Sequence, residues 1–237
     1  MLYIYCLLVL IVFASLFLLN PFITVFKQQQ KVLLISFDGF RYNYLDRTDT
    51  PWFDKLIQEG VKAKWIEDSY ISQTFPNHYT IATGVYEETH GIVANCFYDP
   101  IMNKSFVYTS KEDSSDPKFW GAEPIWVTNQ KQGHSTGVYF WVGSEVKIDG
   151  TYPTVYKPYN ASVNWFERVD TVVSWLANQP VDGKELDINL ALLYFSQPDH
   201  YGHKYGPESR EVTEQIKRCD TIVGMYMFVL FINFNVS

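Results

Sequence analysis

The chain has 237 residues, of which 47% are hydrophobic, 17% aromatic and 19% charged, and its formal net charge is −7. This length corresponds to one domain, or to one domain with a small appendage. Because the net charge is negative and no run of Lys or Arg forms a stripe, the sequence disfavours binding to a nucleic-acid polymer. The many aromatic residues exclude a disordered chain, and the absence of a glycine period or sustained heptad excludes collagen-like and coiled-coil folds.

The N-terminal segment, residues 1–26, contains no charged side chain and is almost continuously apolar from Cys6 to Leu19. It is typical of a cleaved signal peptide or an uncleaved signal anchor, and a buried core helix is a third interpretation. The first two interpretations predict entry into the secretory pathway and an extracellular or cell-surface location, with membrane association if the segment is an anchor. The sequons at Asn103 and Asn160 are candidate glycosylation sites in that compartment. Outside this segment, Cys96 and Cys219 either form a disulfide or are two buried free thiols.

The remaining elements alternate between strands and helices along the chain. Apolar runs predict strands over residues 32–37, 61–70, 135–142 and 188–195. Amphipathic spacing and end signals predict helices over residues 52–59, 76–84, 122–132, 163–178 and 208–227, the first with Thr50 as N-cap and Pro51 at its first position. Residues 86–120 lack clear periodicity and are interpreted as a long insertion that covers the site. The alternation predicts an α/β fold, a mostly parallel sheet flanked by helices.

Ligands of such folds bind at the carboxyl ends of the parallel strands, and two predicted strands are followed there by Asp38 and Asp199. Asp199 and His203 are four residues apart, so on a helical turn they face the same way, as two ligands of one divalent metal must. Each feature also has an interpretation without a metal. Asp38 alone is typical of a turn residue at the end of a strand. The Asp199–His203 fragment is typical of a capped turn with a solvent-facing histidine. His200 points elsewhere on such a turn.

Thr74 precedes a predicted helix, in a position where free N–H groups and the helix dipole stabilise anions. Its hydroxyl either caps that helix or acts as a nucleophile. The second role requires a base or a metal, because a threonine hydroxyl is a poor nucleophile at neutral pH.

Several co-linear stretches of the chain resemble one known family. They read Leu-Ile-Ser-Phe-Asp-Gly-Phe-Arg (34–41), Thr-Phe-Pro-Asn-His-Tyr (74–79), His-Gly-Ile-Val-Ala-Asn (90–95) and Gln-Pro-Asp-His-Tyr-Gly-His-Lys-Tyr-Gly-Pro (197–207). Together they resemble the first part of the catalytic domain of the ecto-nucleotide pyrophosphatase/phosphodiesterase family, within the alkaline phosphatase superfamily. The resemblance covers residues 31–220 and implies an alkaline phosphatase-like fold that is incomplete at its C-terminal side.

The resemblance also implies a site with two zinc ions. Asp38 and Thr74 match ligands of one zinc, and Asp199 and His203 match ligands of the other. Thr74 matches the nucleophile, which attacks phosphorus and forms a covalent nucleotidyl-threonine intermediate. Two such ions clamp the attacking and the leaving oxygen of an in-line phosphoryl displacement.

Three further residues match functional positions of the family, Asn95 a catalytic one and Phe75 and Tyr159 substrate-binding ones. Asn95 matches the amide that donates a hydrogen bond to a phosphate oxygen, an effect worth about 3 kcal/mol for one donor in comparable sites. Phe75 and Tyr159 match the two aromatic rings that hold a base between them in the nucleotide-cleaving members.

The chain departs from the family after His203, since no later histidine and no later Asp-His-Gly motif completes the two zinc sites. The apolar tail, residues 221–237, resembles none of the family's downstream strands, so we expect a truncated or alternatively spliced product with impaired activity. The prediction is zinc-dependent hydrolysis of phosphodiester or pyrophosphate bonds in extracellular nucleotides. The alternatives are a choline or phospholipid phosphodiesterase and a catalytically silent secreted binding protein.

Overall fold

A four-stranded parallel sheet organises the part of the chain that the structure, a computed structural model, describes, which is residues 30–234. Its strands are β1 (Val32–Phe37), β4 (Ser135–Tyr139), β5 (Val155–Lys157) and β6 (Ile188–Phe195). They lie in the order β1-β6-β4-β5, so β6 is central and is buried along almost all of its length. The register pairs Phe37 with Phe195, which brings the carboxyl ends of β1 and β6 to the same level.

Helices and one hairpin complete the described fold. The helices are α1 (Pro51–Glu59), α2 (Thr74–Thr83), α3 (Glu87–His90), α4 (Lys111–Ser114), α5 (Ile125–Lys131), α6 (Trp165–Leu176), α7 (Asp199–Tyr205) and α8 (Arg210–Phe234). Short 3-10 turns occupy Tyr44–Asp46 and Pro117–Phe119, and the antiparallel hairpin consists of β2 (Cys96–Asp99) and β3 (Lys104–Val107). The predicted fold class, a mostly parallel sheet flanked by helices, is confirmed.

Helix α6 packs directly on the two central strands β4 and β6. Gly137 of β4 makes this approach possible, because a Cβ atom there would lie 2.5 Å from the Trp175 ring. The apolar face of α6 is buried, and it carries Arg168 inward together with its valines and tryptophans.

Helix α8 fastens helix α1 to the rest of the fold. The Asp220 carboxylate accepts hydrogen bonds from the backbone N–H groups of Trp52 and Phe53, at 3.0 and 2.9 Å. Thr50 occupies the predicted N-cap position, but its side chain makes no capping bond, so the carboxylate of a distant helix caps α1 instead. The start of the expected tail, from residue 221 onward, continues the same helix to Phe234.

Most predicted elements are present with shifted ends, and one prediction is wrong. The strands at 32–37 and 188–195 have the predicted bounds, while the strand predicted over 135–142 ends at Tyr139. Residues 61–70 form no strand; all of them except Ser69 are exposed, and Val61 is fully so. Alternating apolar and polar residues form a strand only when another strand pairs with them, and none of the described strands does so here.

The segment Tyr86–Trp120 is more regular than its sequence indicated. It contains α3, the β2–β3 hairpin and α4, and it packs through Phe97, Phe106 and Phe119. Tyr108 of this segment contacts the ring of Phe75, so the insertion does border the predicted site.

The N-terminal segment predicted as a signal peptide or anchor, residues 1–26, lies outside the described residues. Within residues 30–234 the structure contains no helix that is both long and apolar enough to cross a membrane.

The two cysteines in the described part of the chain are unpaired, which excludes the disulfide alternative. The other interpretation was two buried free thiols. It is right for Cys219, which is buried, and wrong for Cys96, which is exposed. Burial raises the pKa of the Cys219 thiol, so little thiolate forms there at neutral pH.

We therefore expect iodoacetamide to modify Cys96 in the folded protein and to modify Cys219 only after denaturation. Peptide mapping by mass spectrometry checks this, with a Cys96→Ser variant as the control. The prediction would be wrong if both thiols resisted iodoacetamide and became reactive only after treatment with a reductant.

Candidate functional site

The two aspartates predicted to end neighbouring strands do meet at one edge of the sheet. The Asp38 N–H donates to the Phe195 carbonyl at 2.9 Å, and the Asp38 carbonyl accepts from the Asp199 N–H at the same distance. Gly39, at φ +67°, allows this close approach, because a Cβ atom there would lie 2.7 Å from both Cα and Cβ of Asp199. The glycine that follows Asp38 is therefore a sequence signal for the contact, and one that the sequence analysis did not use.

Thr74 lies beside Asp38, as the resemblance implied. It is the first residue of α2, and its Oγ1 donates a hydrogen bond to Asp38 Oδ2 at 3.2 Å. The N-cap position belongs to Gln73, and no side chain makes a capping bond at this helix end. The interpretation of Thr74 as an N-cap is therefore wrong, and its hydroxyl faces the carboxylate at the end of β1.

Two side chains that the sequence analysis missed hold this pair in place. The Tyr194 hydroxyl, at the end of buried strand β6, donates to the same Asp38 Oδ2 at 2.7 Å. Burial, and next the negative charge of Asp38, raise the pKa of Tyr194, so its hydroxyl keeps its proton and remains a donor.

His78 is the second, and it connects α2 to β1. Its Nδ1 lies 2.7 Å from the Thr74 carbonyl, and its Nε2 lies 2.7 Å from Ser36 Oγ. Because a carbonyl oxygen only accepts, Nδ1 carries a proton. Ser36 is two residues before Asp38, so this imidazole fixes the first turn of α2 relative to the strand that presents the carboxylate.

Asn95, from outside α2, makes hydrogen bonds to the residues on either side of Thr74 at the start of that helix. Its Oδ1 accepts from the Phe75 N–H at 2.9 Å, and its own N–H donates to Gln73 Oε1 at 2.7 Å. Within the described residues its Nδ2 group has no hydrogen-bond partner. The side chain is thus held by its carbonyl oxygen and leaves its amide donor available.

The two predicted aromatic rings have different neighbours. Phe75 is half-buried and packs against the rings of Phe106, Tyr108 and Trp120. Tyr159 is 49% exposed; its ring contacts Phe140 at 5.3 Å and Tyr194 at 6.2 Å between centroids. In the described chain the two rings make no contact with each other.

Asp199 and His203 face the same way on α7, as their spacing predicted. Asp199 Oδ1 lies 3.4 Å from His203 Nε2, and the His203 side chain is 82% exposed. His200 is exposed, and its ring contacts Tyr201. Burial raises the pKa of Asp199, and the charge of Asp38 raises it further, against the smaller opposing effects of His203, His200 and His78. A cation between the two carboxylates would relieve this repulsion.

The donors present suit a divalent metal in kind but are few in number. Carboxylate oxygen, hydroxyl oxygen and imidazole nitrogen all match the ligand chemistry of zinc. However, in the described part of the chain no three His, Cys, Asp or Glu side chains are grouped closely enough to hold a metal ion. The predicted ligands instead form two pairs, Asp38 with Thr74 and Asp199 with His203.

Comparisons with known proteins identify the family of the chain. The model of the Type I phosphodiesterase / nucleotide pyrophosphatase family matches residues 32–230, so the chain belongs to that family. The match extends beyond residue 220, at which the sequence resemblance was expected to stop. Membership of this family, within the alkaline phosphatase superfamily, implies dependence on a metal.

Individual relatives agree with the family assignment. The chain is 44% identical over 203 residues to human ectonucleotide pyrophosphatase/phosphodiesterase family member 5, covering 85% of this chain and 41% of the relative. It is 41% identical over 214 residues to a bis(5'-adenosyl)-triphosphatase of Pongo abelii, covering 87% of this chain and 46% of the relative. The chain thus spans less than half of the length of these two relatives.

A solved structure shows the same fold. Murine ectonucleotide pyrophosphatase/phosphodiesterase 5, in an inactive form with a threonine-to-alanine substitution and in complex with AMP, matches with a TM-score of 0.78 and 43% identity. The match covers 85% of this chain and 52% of the murine chain. The alkaline phosphatase-like fold expected from the sequence is therefore confirmed over the matched part.

Proposed function

We propose that this chain binds nucleotides and hydrolyses their phosphodiester or pyrophosphate bonds, with the Thr74 hydroxyl as the nucleophile. The observation that carries the proposal is the hydrogen bond from Thr74 Oγ1 to Asp38 Oδ2, at the start of a helix and at the carboxyl end of a parallel strand. The family of the chain, and a relative described as inactive after a threonine-to-alanine substitution and as binding AMP, support it.

The side chains around Thr74 have separate tasks in this proposal. Asp38, held by Tyr194, orients the Thr74 hydroxyl and accepts its proton as the oxygen attacks phosphorus. The bond from phosphorus to the leaving oxygen breaks, the leaving group departs, and a covalent nucleotidyl-threonine forms. Water then attacks phosphorus, the bond to the Thr74 oxygen breaks, and the proton returns to that oxygen. Asn95, whose Oδ1 is already engaged with Phe75, donates from Nδ2 to a phosphate oxygen and stabilises the charge that develops there.

Two zinc ions are the proposed cofactors. Asp38 with Thr74 would hold one ion, and Asp199 with His203 would hold the other. When bound, zinc supplies positive charge that stabilises a threonine alkoxide and the phosphate oxygens. With only two donors in each described pair, we propose that zinc binding and turnover by the chain as it stands are weak.

The test is hydrolysis of a chromogenic nucleotide diester in excess zinc, by the chain and by its Thr74→Ala variant. A nucleophilic threonine requires that the variant be inactive. Turnover that does not depend on Thr74 would remove the covalent mechanism, and no binding of nucleotide by the parent chain would remove the function.

The secretory location also remains a proposal, as do glycans on Asn103 and Asn160. Both asparagines are exposed, which a glycan requires. Asn103 lies in a turn at φ +51°, and the Asn160 Oδ1 accepts from Ser162 of its own sequon.

The exposed ring of Tyr159 favours nucleotides over choline phosphodiesters as substrates. Stacking of a base on an aromatic ring is worth about 1–3 kcal/mol, so we expect Tyr159→Ala to raise the KM for a nucleotide diester about 5- to 150-fold. The KM for a chromogenic choline phosphodiester, which has no base to stack, should change much less. Steady-state kinetics of both substrates in excess zinc measure this.

Tyr152→Ala is the matched control for this experiment. Tyr152 is also a partly exposed tyrosine, but its ring stacks on Tyr156, at 5.5 Å. Equal increases in KM for the two substrates in Tyr159→Ala would assign Tyr159 a packing role and would favour the choline or phospholipid alternative.

A further inference from the structure

Arg168 is a buried cation without a carboxylate partner. It lies on the inward face of α6 with 1% of its surface exposed, and no salt bridge of the described residues includes it. A buried guanidinium is unfavourable unless its N–H groups are satisfied. Its contacts therefore indicate what it holds in place.

The guanidinium is satisfied by backbone carbonyls and by two aromatic rings. Its Nε and Nη2 donate to the Val163 carbonyl at 3.3 and 3.0 Å, and Nη2 also donates to the Ala161 carbonyl at 3.5 Å. Its Nη1 donates to the Tyr194 carbonyl at 3.5 Å. The cation lies 4.9 Å from the centre of the Phe140 ring and 5.4 Å from that of Phe195.

Three of the four hydrogen bonds of Arg168, and one of its two ring contacts, lead to Tyr159. The Ala161 and Val163 carbonyls belong to the segment that begins with Tyr159, here called the tyrosine loop and defined as residues 159–163. Phe140, which Arg168 covers, is the ring against which Tyr159 packs, with 67° between the ring planes. Tyr159 is 49% exposed, and two other contacts also hold it: its N–H donates to Glu145 Oε1 at 2.7 Å, and its ring contacts that of Tyr194.

We propose that Arg168 is a positioning residue that fixes the tyrosine loop and the ring of Tyr159 for a substrate base. This inference rests on the proposed nucleotide-binding function. Arg168 touches neither Thr74 nor Asp38. One of its hydrogen bonds goes to the carbonyl of Tyr194, at 3.5 Å, and the three others go to the tyrosine loop, so we expect it to act mainly on the binding of the base. Lysine cannot replace it, because a single ammonium does not reproduce the planar guanidinium fork that reaches several carbonyls at once.

Two measurements on the full chain in excess zinc test the proposal. In Arg168→Lys, hydrogen exchange of the tyrosine-loop amides should become at least about tenfold faster without any nucleotide, because the loop loses its anchor. The dissociation constant for AMP should rise at least about fivefold, while that for ribose 5-phosphate, which lacks a base, should stay within about twofold. In a Tyr159→Ala background Arg168→Lys should add no further loss of AMP affinity.

The control variants separate positioning from general damage. Arg218→Lys controls for the loss of a guanidinium–ring contact, because Arg218, an exposed residue of α8, lies 3.9 Å from the Trp165 ring and no hydrogen bond of the described residues joins it to the tyrosine loop. Phe140→Leu removes the ring beside Tyr159 but keeps the Arg168 hydrogen bonds, and it should reproduce the selective loss of AMP affinity if Arg168→Lys does not fold.

Each contrary result has its own meaning. Unchanged exchange of the tyrosine loop in folded Arg168→Lys would overturn the positioning role and leave the proposed function intact. Equal losses for AMP and ribose 5-phosphate would overturn it in favour of a general structural role. Failure of the parent chain to bind AMP would overturn the proposed function and this inference with it, whereas faster exchange with unchanged AMP affinity would overturn the link to the base.

Discussion

Replacement of Thr74 by alanine is expected to reduce turnover of a nucleotide diester by roughly 10³-fold or more, the scale seen when a covalent enzyme loses its nucleophile. The structure gives the physical reason, because the Thr74 hydroxyl is the one that points at Asp38 from the start of α2. The fold should survive, since the side chain loses one partly buried hydrogen bond, worth about 1 kcal/mol of unfolding free energy. Steady-state kinetics in excess zinc and thermal unfolding measure the two effects.

Two further variants make this experiment specific. Thr83→Ala is the matched control, because Thr83 is a half-buried threonine in the same helix whose hydroxyl donates to the Tyr79 carbonyl of that helix. It should keep full turnover at a similar cost in stability. Thr74→Ser should retain part of the turnover, since it keeps the hydroxyl. If Thr74→Ala keeps more than about a tenth of the parent turnover, the covalent mechanism does not operate.

The sequence predicts the central sheet well because its main strands are short, continuous apolar runs. Residues 188–195 are buried on both faces at every position except Asn189, which is the one polar residue of the run, and both ends of the run are sharp. Residues 61–70 show the limit of the same reasoning. Whether this alternating segment forms a strand depends on a partner strand elsewhere in the chain, and the local sequence pattern does not show whether one is present.

The site, too, was predictable only where local sequence information is sufficient. The meeting of Asp38 and Asp199 follows from a rule about strand ends, which needs only the position of each residue in its element. Tyr194 was missed because it lies within an apolar run, and Arg168 because it lies among other charged residues of an amphipathic helix; in neither place does the side chain carry a local mark of what it contacts. Their roles depend on which side chains from distant elements converge, and the sequence pattern does not specify this.

Weak zinc binding by the chain as it stands is the second large effect. Zinc sites that hold their metal durably use three or four protein ligands. Within residues 30–234 the predicted ligands form only pairs, and no third His, Cys, Asp or Glu joins either pair. Burial, and next the charge of Asp38, raise the pKa of Asp199, so without a nearby cation the ionised form of Asp199 is disfavoured. Both features favour rapid loss of the metal.

We therefore expect the purified chain to keep well under two zinc ions per molecule after dialysis, and to regain turnover of a nucleotide diester only in excess zinc. Metal analysis by mass spectrometry and zinc titration measure this. His203→Ala should weaken the remaining binding by at least about tenfold, because removal of a ligand costs no less than removal of its supporting partner. His200→Ala is the matched control, since His200 is an exposed histidine of the same helix that lies outside the pair. Two zinc ions that survive dialysis, with full turnover, would show that other residues complete the sites.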